Sequence, residues 1–275
     1  MAITKGQGRS FSYAVILGYL VFLSLPIFWL ISTSIKDPLE AFAIPPKLLV
    51  WPKLSNFLEV FANKAFMLSL LNSLLVALGT VACTMVVSVP AAYGLARLKG
   101  VFKNSVLSWL LLTRAAPGMI YVIPYFLVFG RLGLDDTRIS LVIMNMIYTI
   151  PLVIWMLLTF FEEIPISVEE SARVDGASNL QIMTRIAIPI VMPGLASSAI
   201  LAFIFSWNEF LFALVMTKKV ATTAPVSIVN FMAYEGTNWN HVAVGGILIL
   251  LPVLLFSVAI RKYLIRGMAA GAVKG

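Results

Sequence analysis

The sequence predicts an all-α polytopic membrane protein with about six transmembrane helices. Of its 275 residues, 60% are apolar and only 12% are charged, and the mean hydropathy is +0.97. Soluble domains are about half apolar and a quarter charged, so this composition is typical of a chain that lies in a bilayer. Spans of about 20 residues with short connections fill the chain and leave no room for a soluble catalytic domain.

One membrane domain, residues 1–275, accounts for the whole chain. The predicted spans are residues 11–31, 66–95, 106–129, 139–160, 190–216 and 242–260. The first apolar run is longer than the roughly 7–15 residues of a signal peptide, and no small-residue cleavage pattern follows it closely, so we expect it to be retained. The third run is interrupted by Arg114, Pro117 and Pro124.

Charge placement predicts that both termini are on the cytoplasmic side (N-in, C-in). The net charge of +8 comes from Lys and Arg scattered between apolar runs, which the positive-inside rule explains without nucleic acid. The basic residues that carry this prediction precede the first span or follow the second and the last: Lys5, Arg9, Arg97, Lys99, Lys103, Arg261, Lys262 and Arg266. Cys83 is the only cysteine, which excludes a disulfide framework and a cysteine-based metal site.

A polar, acidic segment interrupts the apolar pattern within residues 162–189, which we predict to be a cytoplasmic loop. Ser167 and Glu170 have the spacing of a capping box, so a helix is expected to begin near Val168. Gly176 suits the left-handed position that ends such a helix. The spacing alone leaves open that Glu170 and Gly176 serve only as helix caps.

A second helix is predicted directly after this turn. Ser178 and Gln181 form another capping-box pattern, and the helix is expected to continue until Pro189. Local chemistry thus predicts a helix, a tight turn and a helix on the cytoplasmic side.

This segment resembles the EAA motif of the membrane subunits of bacterial ABC importers, in the form found in MalG-like sugar permeases. The matching residues are Glu170-Ser171-Ala172, Asp175-Gly176-Ala177, Ile186-x-Ile188-Pro189 and Pro193. Four further segments resemble their counterparts in the same family: residues 91–97, 133–137, 206–210 and 266–275. Ser171 departs from the motif, which has alanine there.

The resemblance implies a type I ABC importer permease fold and a division of labour between subunits. The helix-turn-helix would couple the chain to a dimer of ATPase subunits through Glu170, Ser171, Ala172, Asp175, Gly176, Ala177, Leu180 and Met183. ATP and Mg would be bound by the ATPase, since this chain contains no G-x-x-x-x-G-K-[ST] phosphate loop and is not expected to be an enzyme. The other implied partners are a second homologous permease, a periplasmic or extracellular solute-binding protein, a sugar and the lipid of the bacterial inner membrane.

Polar residues inside predicted spans indicate a substrate pathway, because ionisable groups in a bilayer are costly. These candidates are Arg114, Asn145, Asn208 and Glu209. A guanidinium and amides could bind sugar hydroxyls or an anionic substituent. Alternatively, Arg114 and Glu209 pair with each other, or reach the membrane interfaces, to make their burial tolerable. The aromatic residues Phe205, Trp207 and Phe210 either stack on a sugar or pack between helices.

The loop before the last predicted span is the candidate contact for the solute-binding protein. By the resemblance, its tip consists of Tyr234, Glu235, Gly236, Thr237 and Asn238. The alternative is an ordinary solvated turn. A second function class, a self-contained secondary carrier or channel, would need coupling-ion sites and usually inverted repeats. The sequence shows neither a repeat nor a chain of intramembrane acids beyond Glu209.

Overall fold

The computed structural model describes residues 5–41, 43–47, 50–233 and 236–272. In this part of the chain nearly all regular structure is helical. The helices are α1 Lys5–Ser34, α2 Pro38–Ala41, α3 Ser55–Ala62, α4 Lys64–Arg97, α5 Val101–Ala115, α6 Gly118–Arg131, α7 Arg138–Glu162, α8 Ile166–Val174, α9 Asn179–Ile182, α10 Ile188–Ile190, α11 Met192–Trp207, α12 Leu211–Met216, α13 Ala224–Ser227 and α14 Trp239–Ala272. A π-helical segment, Met183–Ala187, joins α9 to α10, and a 3₁₀ helix, Ile228–Phe231, precedes two short antiparallel strands, β1 Met232–Ala233 and β2 Gly236–Thr237.

The described helices provide four to six membrane spans, which confirms the predicted fold class. Four helices are long and apolar enough to cross a bilayer: α1, α4, α7 and α14. Two further spans are formed if each of two bent pairs counts as one, α5 with α6 at 87° and Asn179–Ile190 with α11 at 80°. The N-in, C-in orientation stays a prediction.

Two of the predicted spans are not continuous helices. Between α5 and α6, Ala116 is extended, with φ −66° and ψ 133°, because a residue before proline avoids the helical region. The predicted run 190–216 is interrupted between Trp207 and Leu211. Both breaks bring polar backbone groups to the same region of the fold.

The contacts of the chain divide it into two compact units, and the first comprises residues 1–67 and 228–250. Two buried asparagines hold the end of α1 in this unit. The Asn56 side chain donates to the carbonyls of Ser34 and Lys36 at 2.8 and 2.9 Å, and the Asn240 side chain donates to Lys36 O at 2.6 Å. These bonds satisfy carbonyls that a helix end leaves without partners.

The second unit comprises residues 68–227 and 251–275, with α7 as its most enclosed long helix. Leu157 and Phe161 of α7 are fully buried in an apolar cluster with Ala92 of α4. On the other side of α7, Gly194 of α11 lies so close to the Phe160 ring that an added Cβ would be 2.6 Å from it. The close packing fixes the positions of α4, α7 and α11 around the sites described next.

Candidate functional site

The predicted turn at Gly176 is present and ends α8 in a Schellman motif. Gly176 has a φ of +86°. Its N–H donates to Arg173 O at 3.0 Å, and the Ala177 N–H donates to Ala172 O at 2.9 Å. Both bonds need the left-handed conformation, which glycine adopts without the penalty of a Cβ. The prediction that Gly176 ends this helix is therefore confirmed.

The capping box predicted for the second helix is also confirmed. The Gln181 N–H donates to Ser178 Oγ at 3.3 Å, and the Ser178 N–H donates to Gln181 Oε1 at 2.8 Å. The helix extends to Ile190 through the π-helical segment. Pro189 has no N–H and its ring opposes a carbonyl four residues earlier, which favours a wider turn just before it.

The capping box predicted for the first helix is wrong. The helix begins at Ile166, with Pro165 at the N-cap position and no side chain capping it. The carbonyl of Pro165 already accepts the Val168 N–H at 3.1 Å, so Ser167 lies inside the helix, where its carbonyl accepts the Ser171 hydroxyl at 2.9 Å. The proline starts the helix two residues earlier than the serine would.

Most of the predicted coupling residues form the outer surface of this helix-turn-helix. Glu170, Ser171, Asp175 and Gly176 are exposed, and Leu180 is 66% exposed. The remaining predicted residues, which are half-buried, are Ala172, Ala177 and Met183. The surface thus presents acids and an apolar side chain with no cover in the described part of the chain.

Glu169, which was not among the predicted site residues, anchors the helix-turn-helix to α4. It is 1% exposed and accepts bonds from Arg97 Nε at 2.9 Å, Arg97 Nη2 at 2.5 Å and the Tyr93 hydroxyl at 3.1 Å. Arg97 Nη1 also donates to Phe161 O at 2.9 Å. Burial disfavours the charged carboxylate, but the bonds from Arg97 and Tyr93 outweigh it and lower the pKa of Glu169.

No sequence pattern could have paired these groups. Arg97 and Glu169 are 72 residues apart, and helical spacing relates only residues three or four apart. The one available indication was that Glu169 and Glu170 are neighbours, which places them on different faces of a helix.

The four predicted pathway residues line one cavity of about 590 Å³ in the second unit. Its wall is formed by Arg114, Asn145, Tyr148, Thr149, Ile204, Phe205, Ser206, Asn208, Glu209, Phe210 and Leu211. These residues come from the end of α5, the middle of α7 and the interruption between α11 and α12. The structure therefore brings together all four candidates from three separate predicted spans.

Arg114 and Glu209 do not form an ion pair, so the predicted pairing of these two residues is wrong. Glu209 lies in the interruption after α11, and its two carboxylate oxygens accept the N–H groups of Phe212 and Ala213 at 2.7 and 3.0 Å. It thereby caps α12. The guanidinium of Arg114 lies over the Phe205 ring, 5.2 Å from its centroid.

The two cavity asparagines differ in what they offer. Asn145 is 4% exposed and donates its side-chain amide to Ser206 Oγ at 2.8 Å, but its enclosed Oδ1 has no hydrogen-bond partner in the described part of the chain. Asn208 is exposed and donates back to Ile204 O at 2.9 Å. Asn145 therefore presents the more unusual group, a buried acceptor without a donor.

Two lining residues that the sequence analysis missed share the Asn145 face of α7. Tyr148 and Thr149 follow Asn145 by three and four positions, which is the spacing of one helical face. The Tyr148 ring stacks on Phe212 at 5.6 Å, and its hydroxyl donates to Ala116 O, at the break after α5, at 3.2 Å. Extending the Asn145 prediction by helical periodicity would have found both residues.

The predicted contact for a binding protein lies only partly within the described residues. Gly236 and Thr237 form β2, which pairs with β1. Asn238 caps α14 by accepting the His241 N–H at 3.2 Å. Tyr234 and Glu235 lie outside the described residues.

Among the described residues, no group of three or more His, Cys, Asp or Glu side chains is placed to hold a metal ion.

Comparisons with known proteins agree with this architecture. Residues 85–270 match the family model described as "Binding-protein-dependent transport system inner membrane component". The chain belongs to this family. It is a multi-pass membrane protein and a permease subunit of an ABC importer. The matched region of the permease includes both the helix-turn-helix and the cavity.

Relatives of this permease match it along nearly its whole length. The trehalose transport system permease protein SugB of Mycobacterium tuberculosis is 34% identical over 97% of this chain and 99% of its own. The trehalose/maltose transport system permease protein MalG of Thermococcus litoralis is 32% identical over 91% of both chains. A crystal structure of a bacterial ABC transporter involved in the import of the acidic polysaccharide alginate contains a chain with a TM-score of 0.78 and 25% identity, covering 96% of this permease and 99% of that chain.

Proposed function

We propose that this permease forms half of the translocation pathway of an ATP-driven sugar importer in the bacterial inner membrane. The observation that carries the proposal is the cavity that unites Arg114, Asn145, Asn208 and Glu209 within the membrane-spanning part of the chain. Polar groups are costly in a bilayer unless they face a polar path or ligand. The sugar specificity is supported by the relatives, which are described as trehalose and maltose permeases.

In this proposal the helix-turn-helix docks on a separate ATPase subunit, which binds ATP and Mg and performs the hydrolysis. The exposed acids Glu170 and Asp175 and the exposed Leu180 support this docking role, because they lie on a surface without cover in the described part of the chain. Closure of an ATPase dimer would then move a rigid lever whose inner side is attached through Glu169. A second homologous permease completes the pathway, and a solute-binding protein delivers the sugar at the loop of residues 234–238.

The test is ATP-dependent sugar uptake by the full complex, co-purified with its ATPase and second permease and reconstituted in liposomes. Glu170→Lys and Gly176→Pro are expected to leave the folding of the permease largely intact but to abolish most uptake while ATP hydrolysis continues. Glu163→Lys, an equal charge reversal at an exposed position just after α7, is the control and should transport normally. Uptake at the wild-type rate by Glu170→Lys and Gly176→Pro would refute the coupling role. Uptake driven by an ion gradient without ATP would refute the importer assignment.

A further inference from the structure

We infer that the cavity is built for an anionic sugar, whose carboxylate or other oxyanion binds Arg114. This inference rests on the proposed function and narrows its substrate class. It depends on three features of the cavity: a cation that has no counter-ion among the described residues, a carboxylate whose two oxygens already accept backbone N–H groups, and a neutral wall that is fixed by hydrogen bonds and carries aromatic rings.

The first feature is the state of Arg114. This side chain is half-buried, and its guanidinium makes no ion pair or hydrogen bond within the described residues, only the contact with the Phe205 ring. Its position in the last turn of α5 gives it some stabilisation from the carbonyl end of that helix. The guanidinium N–H groups nevertheless remain free towards the cavity, in a planar arrangement that matches a carboxylate or phosphate.

The second feature is the state of Glu209, the only acid among the described residues that line the cavity. If this carboxylate were available to Arg114, the cavity would be neutral and would favour an uncharged sugar. Instead, both oxygens accept N–H groups at the start of α12, where the partial positive charge of the helix end offsets the negative charge of the carboxylate. The positive charge of Arg114 therefore has no counter-ion among the described residues, in a place where an unpaired charge is costly.

The third feature places the neutral part of the ligand. The Asn145 amide group is fixed by its bond to Ser206 Oγ, and Ser206 in turn lies 3.2 Å from Thr80 Oγ1. Asn145 therefore lines the cavity in a fixed position, while its unpartnered Oδ1 is enclosed by protein and is not open to the cavity. The aromatic rings of Phe210 and Tyr148, which also line the cavity, provide apolar faces for a pyranose ring. The volume lies within the range of about 300–1,000 Å³ found for small-molecule sites.

The first arm of the test compares matched substrates without any mutation. The cognate solute-binding protein is screened by thermal shift against pairs of neutral mono- and disaccharides and their 6-carboxylates, with the sugar 6-phosphates as a third series. ATP-dependent uptake of each pair is then measured in proteoliposomes that contain the complete transporter. The uronate or the phosphate is expected to be imported in preference to its neutral parent, and the two series distinguish the carboxylate from the phosphate. Equal or better import of the neutral sugar would overturn the inference.

The second arm assigns the preference to Arg114. Arg114→Gln is expected to lower kcat/KM for the anionic sugar by at least about tenfold, the value of a lost charge-assisted bond, and to remove the preference over the neutral parent. Arg114→Lys keeps the charge and should retain part of the preference. Arg131→Gln, at the exposed end of α6, is the control and should behave as wild type. An unchanged preference in Arg114→Gln refutes the inference, whereas a wild-type complex that imports no sugar at all refutes the proposed function instead.

Discussion

Replacing Arg97 with methionine is expected to destabilise the permease by about 3–5 kcal/mol, because it leaves a buried carboxylate without its counter-ion. Glu169 is 1% exposed and Arg97 18% exposed in their side chains, so water can replace little of the lost interaction. The substitution removes two bonds to Glu169 and the bond to Phe161 O. Only the Tyr93 hydroxyl would remain on the carboxylate.

A double-mutant cycle separates the pair from the packing around it. Glu169→Leu removes the charge, so the combination with Arg97→Met leaves two apolar side chains of similar size instead of an unpaired ion. The double variant should therefore be more stable than the sum of the two single changes predicts, by about 2–3 kcal/mol. The free energy of unfolding is measured by denaturant titration of the purified permease in mild detergent.

The pair of Lys103 and Glu162 supplies the control for this cycle. It joins α5 to the end of α7, but the Glu162 side chain is 41% exposed. Breaking it with Glu162→Gln should cost no more than about 1 kcal/mol, as for exposed ion pairs in general. If Arg97→Met cost as little as Glu162→Gln, or if the cycle were additive, the anchoring role of Glu169 would be refuted.

Three further changes test local features of the same unit. Gly176→Ala should lower the free energy of unfolding by about 1–2 kcal/mol, because the φ of +86° opposes the added Cβ although no neighbouring side chain lies within 4 Å of it. Gly94→Ala is the matched control. It also has no neighbour within 4 Å but lies inside α4, so it should raise the free energy of unfolding by about 0.5–1 kcal/mol. Asp136→Ala removes the acceptor of four backbone N–H groups and should cost about 1–2 kcal/mol, whereas Asp135→Ala breaks only an exposed pair and should cost less than about 0.5 kcal/mol. The pKa of Glu169 is below its ordinary value of 4.5. The carboxylate should therefore contribute fully to the free energy of unfolding above pH 4.5 and lose this contribution as the pH falls further. Glu169→Gln should abolish this pH dependence.

The spans could be predicted because a bilayer requires a certain length and an apolar composition, and both can be read directly from the sequence. The breaks within them were harder to predict. Pro117 indicated the first break, but nothing in the apolar composition indicated that residues 208–210 would leave the helix. There, the carboxylate of Glu209 accepts two N–H groups at the start of the next helix. The residue that lies in the interruption therefore also supplies hydrogen bonds that the interrupted helix has lost, which only the three-dimensional structure shows.

The functional residues could be predicted where their signal is local or unusual. Gly176 and the capping box at Ser178 obey rules that act over a few residues, and Arg114 and Asn145 are conspicuous because they are polar in apolar runs. The bond between Arg97 and Glu169 depends on how α4 and α8 approach each other, which local rules do not contain. The same limit explains why the sequence left open whether Arg114 pairs with Glu209.

The adjacent acids Glu169 and Glu170 would divide between them the two requirements of the proposed coupling element. Glu170 faces outward, where a partner can reach it, while Glu169 faces inward and is held by the end of α4. Helix α4 also carries Thr84, which is hydrogen-bonded to Thr149 of the cavity wall at 2.7 Å. Between Arg97 and Thr84 the helix spans about 20 Å, with Pro90 inside this stretch removing one backbone hydrogen bond. We expect a force applied to the outer face of α8 to reach the cavity through these two polar contacts and to displace its wall, with any bending of α4 concentrated near Pro90.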